Sequence, residues 1–252
     1  LSVEDLRVRN KKGITALDGV SFQVRRGEIV GIAGVEGNGQ TELIECVAGM
    51  LRPDSGRVLL DGQDVTRMPV RKRREAGMSH IPEDRLKVGT AKTCTIRDNL
   101  ITNRYYRKPY SKHGVMDNKA LMRLSDQMCR DYQIKTPDAT YLLSTLSGGN
   151  MQKVVFAREM EADPTLLVAA QPTRGIDIGA IESIWTRIIQ ARDEGKAVLL
   201  VSAELDEVLS LADRVLVMYE GQIMAELPRE EATETKVGVY MTGAKRKEEN
   251  HA

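Results

Sequence analysis

The chain has 252 residues, long enough to bury a core without metals or disulfides. Its 37 lysines and arginines against 36 aspartates and glutamates leave a net charge of +1, which removes bulk attraction as a basis for binding nucleic acid or an anionic membrane. Three cysteines (Cys46, Cys94, Cys129) at wide, unpatterned spacing suggest neither a disulfide framework nor a zinc site and fit a reducing compartment, and no apolar run approaches the roughly 18 residues that span a bilayer.

Leu1 leads straight into a strand pattern, so the sequence reads as a piece of a longer polypeptide. Residues 3 to 34 hold β-rich runs, Val20–Val24 and Ile29–Ala33, with turn signals at Asp18-Gly19 and Arg26-Gly27. A helix is expected from Gly39 to Gly49, because Leu43, Ile44, Val47 and Ala48 share one face. Arg57 to Val65 reads as a hairpin around Asp61-Gly62. The basic run Arg71 to Arg74 is expected to be a solvated helix face, and His80 and His113 are read as structural or solvent-facing.

From about 84 to 162 the chain is charged, helix-prone and loop-rich, which predicts a helical lobe. Within it Met116 to Tyr132 has helical spacing, and Met116, Met122 and Met128 are expected in the lobe core. Apolar runs Leu166–Ala170, Ala197–Val201 and Val215–Met218 then alternate with helical segments 179–194 and 204–212, the β/α alternation of a largely parallel sheet. The charged stretch Lys245 to Glu249 reads as a frayed tail.

Two segments carry the chemistry of anion binding. GVEGNGQT, residues 34–41, lies between a buried-strand run and a helix and matches the phosphate-loop pattern G-x-x-x-x-G-K-[ST] except that Gln40 replaces the lysine. Gly34, Gly37 and Gly39 let the backbone of this loop, Asn38 included, wrap close to phosphates, and Thr41 offers the hydroxyl that would ligate Mg²⁺. LSGGNMQK, residues 146–153, opens a helix expected to run to about Ala162, and a Ser-Gly-Gly helix start suits either an N-cap or an anion site.

Taken with the loop HIPEDR (80–85), the string LLVAAQPTRGID (166–177) and VSAEL (201–205), these motifs occur in the order found in ABC ATPases, which the chain resembles over residues 1–242. The resemblance implies an α/β phosphate-loop NTPase fold with a largely parallel sheet core, an N-terminal antiparallel β subdomain and an inserted α-helical subdomain, followed by a charged tail at 243–252. It implies ATP and Mg²⁺ as ligands. Ser147, Gly148, Gly149 and Asn150 match the family's signature, which binds the γ-phosphate held by an opposite subunit. Asp177 matches the interface loop, and Glu83 falls where many members have a permease-facing glutamine.

The departures concentrate on one pocket. Ala170, Gln171 and Ala203 stand where the family has a magnesium-shell aspartate, a water-polarising glutamate and a γ-phosphate histidine, and no aromatic residue that could stack on adenine precedes Phe22. Glutamine keeps the shape of glutamate but not its basicity, and such losses cost about 10² to 10⁴ in rate. Negligible ATPase activity is therefore expected of this domain alone.

Among ABC proteins the chain looks like the C-terminal half of a tandem ATPase serving simple-sugar or nucleoside importers, with the AAQPTRG string pointing to the nucleoside branch. That resemblance implies an N-terminal nucleotide-binding half in the same polypeptide, two permease subunits and, indirectly, an extracellular solute-binding protein. It implies a place at the cytoplasmic face of the bacterial cell membrane. A rival reading, a non-transport ABC ATPase acting on nucleic acid or the ribosome, is disfavoured by the neutral charge and the lack of a basic linker. A non-enzymatic scaffold differs from the first reading in whether nucleotide binds at all.

Overall fold

The computed structural model describes residues 1–10 and 13–244, so the tail expected at Lys245–Glu249 lies outside the described residues. In chain order the elements are β1 (Ser2–Arg9), β2 (Thr15–Gln23), β3 (Ile29–Ala33), α1 (Gln40–Ala48), β4 (Ser55–Leu60), β5 (Gln63–Asp64), α2 (Val70–Glu75) and β6 (Met78–Ile81). There follow a π-type turn at Arg85–Gly89, α3 (Ile96–Ile101), β7 (Ser111–Lys112), β8 (Val115–Met116), α4 (Asn118–Asp131) and α5 (Gly148–Met160). The remainder is β9 (Leu166–Ala170), α6 (Ile178–Asp193), β10 (Ala197–Val201), α7 (Leu205–Leu211), β11 (Arg214–Tyr219), β12 (Gln222–Pro228) and α8 (Glu234–Met241).

Two compact units divide the chain, one of residues 1–78, 165–171 and 188–252, the other of residues 79–164 and 172–187. In the first, an antiparallel sheet runs β2-β1-β4-β5, and a second sheet runs β12-β11-β3-β10-β9. In the second sheet β11, β3, β10 and β9 are parallel and β12 closes one edge antiparallel. Strands β3, β9 and β10 are buried along their whole length, which is why they read as unbroken apolar runs rather than alternating ones. Their side chains join Leu43 and Val47 of α1 and Val3, Leu6 and Val58 of the antiparallel sheet in one core.

The Asp61-Gly62 signal forms the expected tight turn, with φ of +48° and +79° at the two residues. Asp18-Gly19 does not form a turn. It lies inside β2, where Gly19 (φ +71°) marks an irregularity against β1: Leu6 pairs with Val20 but Val8 pairs with Leu17. A side chain at Gly19 would begin 3.0 Å from the Arg7 guanidinium, so the strand bends around that cation.

The basic run also departs from expectation. Arg71 and Lys72 are exposed, but Arg73 is 1% exposed, and its guanidinium donates to the carbonyls of Cys46 (2.6 Å), Val47 (2.6 Å), Thr66 (2.7 Å) and Met68 (3.1 Å). A cation among the last carbonyls of α1 meets the negative end of the helix dipole and supplies donors the helix itself lacks. Gly49 (φ +83°), the C-cap of α1, leaves room for it, since a Cβ there would lie 2.6 Å from Arg73 Nε.

The second unit is built from α3, α4 and α5 with the small β7–β8 hairpin. Thr95 and Asp98 cap α3 reciprocally, and the Asp117 carboxylate caps α4 at Ala120 N. Met128 is buried as expected, Met122 is half-buried, and Met116 sits exposed on the hairpin before the helix begins, because Asp117 caps α4 one residue later. His80 is buried on β6, while His113 takes a positive φ in the hairpin turn. On α5, Arg158 and Glu159 form a buried ion pair of 2.8 Å, and Arg158 also donates to Gly89 O at 2.8 Å.

The three cysteines are free. Burial pushes the Cys46 thiol up to about 12 and the Cys129 thiol up to about 11, whereas Cys94 is exposed. A thiol reagent at about pH 8 is expected to label Cys94 first and to reach Cys46 once denaturant is added, because the thiolate is the reactive form; rapid labelling of Cys46 in the native protein would contradict this burial. Replacing Arg73 by Ala is expected to lower the unfolding free energy by about 3 kcal/mol or more in urea titrations, since it strands buried carbonyls. Arg73→Lys should recover part of the loss, and an unchanged midpoint for Arg73→Ala would show that the clasp contributes nothing.

Candidate functional site

Parallel pairing brings three loops to one edge of the first unit. Val201 of β10 pairs with both Ile32 of β3 and Ala170 of β9, so Gly34, Gln171 and Ser202–Ala203 leave their strands at the same end. In open α/β sheets this is the end at which ligands bind.

The loop after β3 has the wrapped geometry that its glycines predict. Gly37 and Gly39 take φ of +93° and +102°, and a Cβ at Gly39 would lie 2.4 Å from Ala16 O. Asn38 ties the loop to the β11–β12 turn: its carboxamide oxygen accepts from Glu220 N (2.9 Å) and its carbonyl from Gly221 N (3.0 Å). Gln40 starts α1 and is 9% exposed. Its amide donates back to Val35 O at 3.2 Å and lies 2.3 Å from where a Gly34 side chain would begin, so the carboxamide packs onto the loop's own backbone. Thr41, one residue on, is exposed. Glu36, also exposed in this loop, adds a carboxylate that the motif reading passed over.

At the ends of β9 and β10 the side chains close on each other. Ala170 is buried with a methyl where an acid would be needed to hold a metal shell. Gln171 takes φ +49°, donates its backbone N–H to Val201 O (2.7 Å), and accepts from Ala203 N through its side-chain oxygen (3.1 Å). Among the described residues no group of three or more His, Cys, Asp or Glu side chains is placed to hold a metal. Backbone amides of the loop and the Thr41 hydroxyl suit phosphate oxygens.

The second unit holds the remaining motif residues together. Ser147 is the N-cap of α5, its oxygen accepting from Asn150 N (3.4 Å) and Nδ2 (3.0 Å). Asn150 also accepts from Lys135 N at 2.9 Å, so this side chain braces the helix start against the segment after α4. The two signature glycines have internal reasons for lacking side chains. A Cβ on Gly148 would lie 3.0 Å from the Arg85 guanidinium and one on Gly149 would lie 3.1 Å from Asp177 Oδ2. Asp177 in turn accepts from Ala180 N (3.0 Å) at the start of α6.

The loop 82–85 and the loop 172–177 are cross-linked within the same unit. Glu83 accepts from Arg174 at 2.6 Å, and Arg85 donates to the carbonyls of Arg174 (2.6 Å) and Gly175 (3.3 Å). Gln152 on α5 donates to Pro172 O at 2.8 Å. Sequence reading singles out Glu83 and Asp177 but misses Arg85, Arg174 and Gln152. The signal for the arginines was present in the P-E-D-R and P-T-R-G strings, but their acceptors, two backbone carbonyls for Arg85 and the Glu83 carboxylate for Arg174, lie far away in the chain, which no local pattern reveals.

A family model described as ABC transporter matches residues 17–174. Over 252 residues the chain is 43% identical to the guanosine import ATP-binding protein NupO of Bacillus subtilis strain 168, covering 100% of this chain and 49% of that protein. It is 42% identical over 243 residues to the nucleoside import ATP-binding protein NupA of Lactococcus lactis subsp. cremoris strain MG1363, covering 96% of this chain and 48% of that protein. The chain thus spans about half the length of these curated relatives. A solved nucleotide-free ATP-binding cassette from an ABC transporter superposes with a TM-score of 0.79 at 25% identity, covering 95% of this chain and 97% of that one.

Asn150→Ala removes two side-chain hydrogen bonds at the start of α5 and is expected to cost about 1 to 2 kcal/mol of stability. Chemical denaturation checks this, and a variant as stable as the parent would mean that water replaces both bonds.

Proposed function

The chain belongs to the ABC transporter family and has its α/β ATPase fold, and from that premise we propose that it is the second nucleotide-binding half of a tandem importer ATPase. Residues 1–242 form this one nucleotide-binding domain, with the helical lobe at about 84–162 and a charged tail at 243–252. Its own pocket is degenerate, and its signature completes the pocket of the N-terminal half. The observation that carries the reading is the contrast between the two anion-binding places. Where β3, β9 and β10 end stand Gln40, Ala170, Gln171 and Ala203, none of them ionisable, whereas the start of α5 has Ser147, Gly148, Gly149 and Asn150 capped and braced.

Gly34, Gly37, Asn38, Gly39, Gln40 and Thr41 hold nucleotide weakly or serve as a static joint, with Thr41 a weak magnesium ligand at most. With Gln171 in place of a carboxylate, no general base stands ready to polarise an attacking water. The domain's contribution to turnover is then to close on ATP held by the partner half, with Asp177 in the contact between halves. Two permease subunits meet the domain around Glu83 and the helical lobe, whose exposed apolar side chains include Leu86, Val88, Tyr105, Tyr141 and Leu142, and they receive solute from an extracellular binding protein. Held by these permease subunits, the protein sits peripherally on the cytoplasmic face; no helix among the described residues is long and apolar enough to cross a membrane. The solute is a nucleoside, a reading supported by the likeness to the guanosine and nucleoside import proteins along nearly the whole chain.

The test uses the full-length protein with both halves. Ser147→Arg is expected to reduce ATP turnover by about a hundredfold or more, because it places bulk and charge where a γ-phosphate must lie. Gln40→Ala should change turnover by less than about twofold, the lysine-like function being already absent at that position. Undiminished turnover in Ser147→Arg, or its collapse in Gln40→Ala, would overturn the assignment.

A further inference from the structure

Arg85 lies in neither nucleotide motif, yet its side chain touches two distant segments of the second unit at once. Its guanidinium reaches two consecutive carbonyls of the 172–177 loop, at 2.6 Å from Arg174 O and 3.3 Å from Gly175 O. The nitrogen that reaches Gly175 O also lies against the first residue of α5, 3.0 Å from where a Gly148 side chain would begin. The Arg174 side chain returns to Glu83 at 2.6 Å, two residues before Arg85, so the two loops exchange arginines in a closed clasp.

Further along, the same segment is pinned to α5 a second time. The Asp84 carboxylate caps the turn Arg85–Gly89 at Leu86 N and Lys87 N, and Gly89 O accepts from the buried Arg158 of α5. Upstream, Ser79 Oγ donates to Glu159 O at 2.8 Å. Segment 79–89 is thus fastened toward the C-terminal end of α5 by Ser79 and Gly89. Arg85 is the contact it makes at the start of the helix, beside Ser147.

We infer that Arg85 is a positioning residue for the signature: it fixes Ser147, Gly148 and Gly149 against the Asp177 loop, and couples both to the loop that carries Glu83. This rests on the proposal that the signature serves a nucleotide held by the partner half. Gly148 is the counterpart of the clasp, since a Cβ there would lie 3.0 Å from the guanidinium and crowd it. The planar fork matters as much as the charge, because two carbonyls are engaged from one side chain, a geometry a lysine ammonium does not reproduce. A displacement of the Glu83 loop is transmitted through this fork to the signature, and a state of the partner nucleotide is transmitted the other way.

The experiment compares Arg85→Ala, Arg85→Gln and Arg85→Lys with Ser147→Arg in the full-length protein. It reads ATP turnover, ADP affinity, and thermal midpoint. Loss of the fork is expected to lower kcat by about ten- to a hundredfold, the scale of a misplacement near 1 Å. ADP affinity of the partner's loop, which does not need closure, should stay within about twofold, and Arg85→Lys should regain less than half of the lost rate. A general folding defect would instead lower affinity, rate and midpoint together, and so would overturn the positioning role. Full recovery by Arg85→Lys would also overturn it, because charge alone would then suffice. If Arg85→Ala fails to fold, Arg85→Gln carries the comparison, since it retains the volume and one donor group. Wild-type kcat in the alanine or glutamine variant, with Ser147→Arg inactive, would sink this inference alone. Wild-type kcat in Ser147→Arg would sink the reading of the signature on which it rests.

Discussion

The parallel register of three buried strands is the constraint on which the rest depends. Val201 of β10 sits between Ile32 of β3 and Ala170 of β9, and all three strands are apolar along both faces. A slip by one residue would turn every side chain to the opposite layer, and because both layers are apolar it is the close packing of each that holds the register. Once it is fixed, whatever follows Ala33, Ala170 and Val201 is delivered to one edge. The chemistry of that edge depends on a handful of side chains past the strand ends, and these can change without disturbing the sheet. Gln171 shows how: its backbone bonds to Val201 O and its side chain to Ala203 N, and neither bond needs an ionisable group.

Arginine held by main-chain carbonyls recurs through the molecule. Arg73 gathers four carbonyls below α1, Arg85 two carbonyls of the 172–177 loop, and Arg158 the carbonyl of Gly89 beside Glu159. A guanidinium offers five donors in a fixed plane, so one side chain can satisfy several carbonyls that loops and helix ends leave open. In two of these cases a glycine completes the arrangement, Gly49 beside Arg73 and Gly148 beside Arg85. Glycine in such places reflects the room a neighbouring cation takes as much as any ligand that approaches from outside.

The two units divide the chemistry between them. The first contains the wrapped loop, the methyl of Ala170 and the Gln171–Ala203 contact, an assembly of neutral hydrogen-bonding groups. The second contains the signature, Asp177, Glu83 and the arginine clasp, where charged groups are paired and helix ends are capped.

The sequence by itself determined the fold class and the strand runs at Ile29–Ala33, Leu166–Ala170 and Ala197–Val201, because unbroken apolar runs and glycine-rich loops are local features. Tertiary structure decided the rest. It buried Arg73 out of a run that reads as a solvated face, placed Asp18-Gly19 inside a bent strand, and left Met116 outside the lobe core. It also assigned Arg85 and Arg174 their acceptors, 89 to 91 residues away along the chain. Which carbonyl an arginine reaches depends on where distant segments come together in space, and composition or periodicity within a short window carries no record of that meeting.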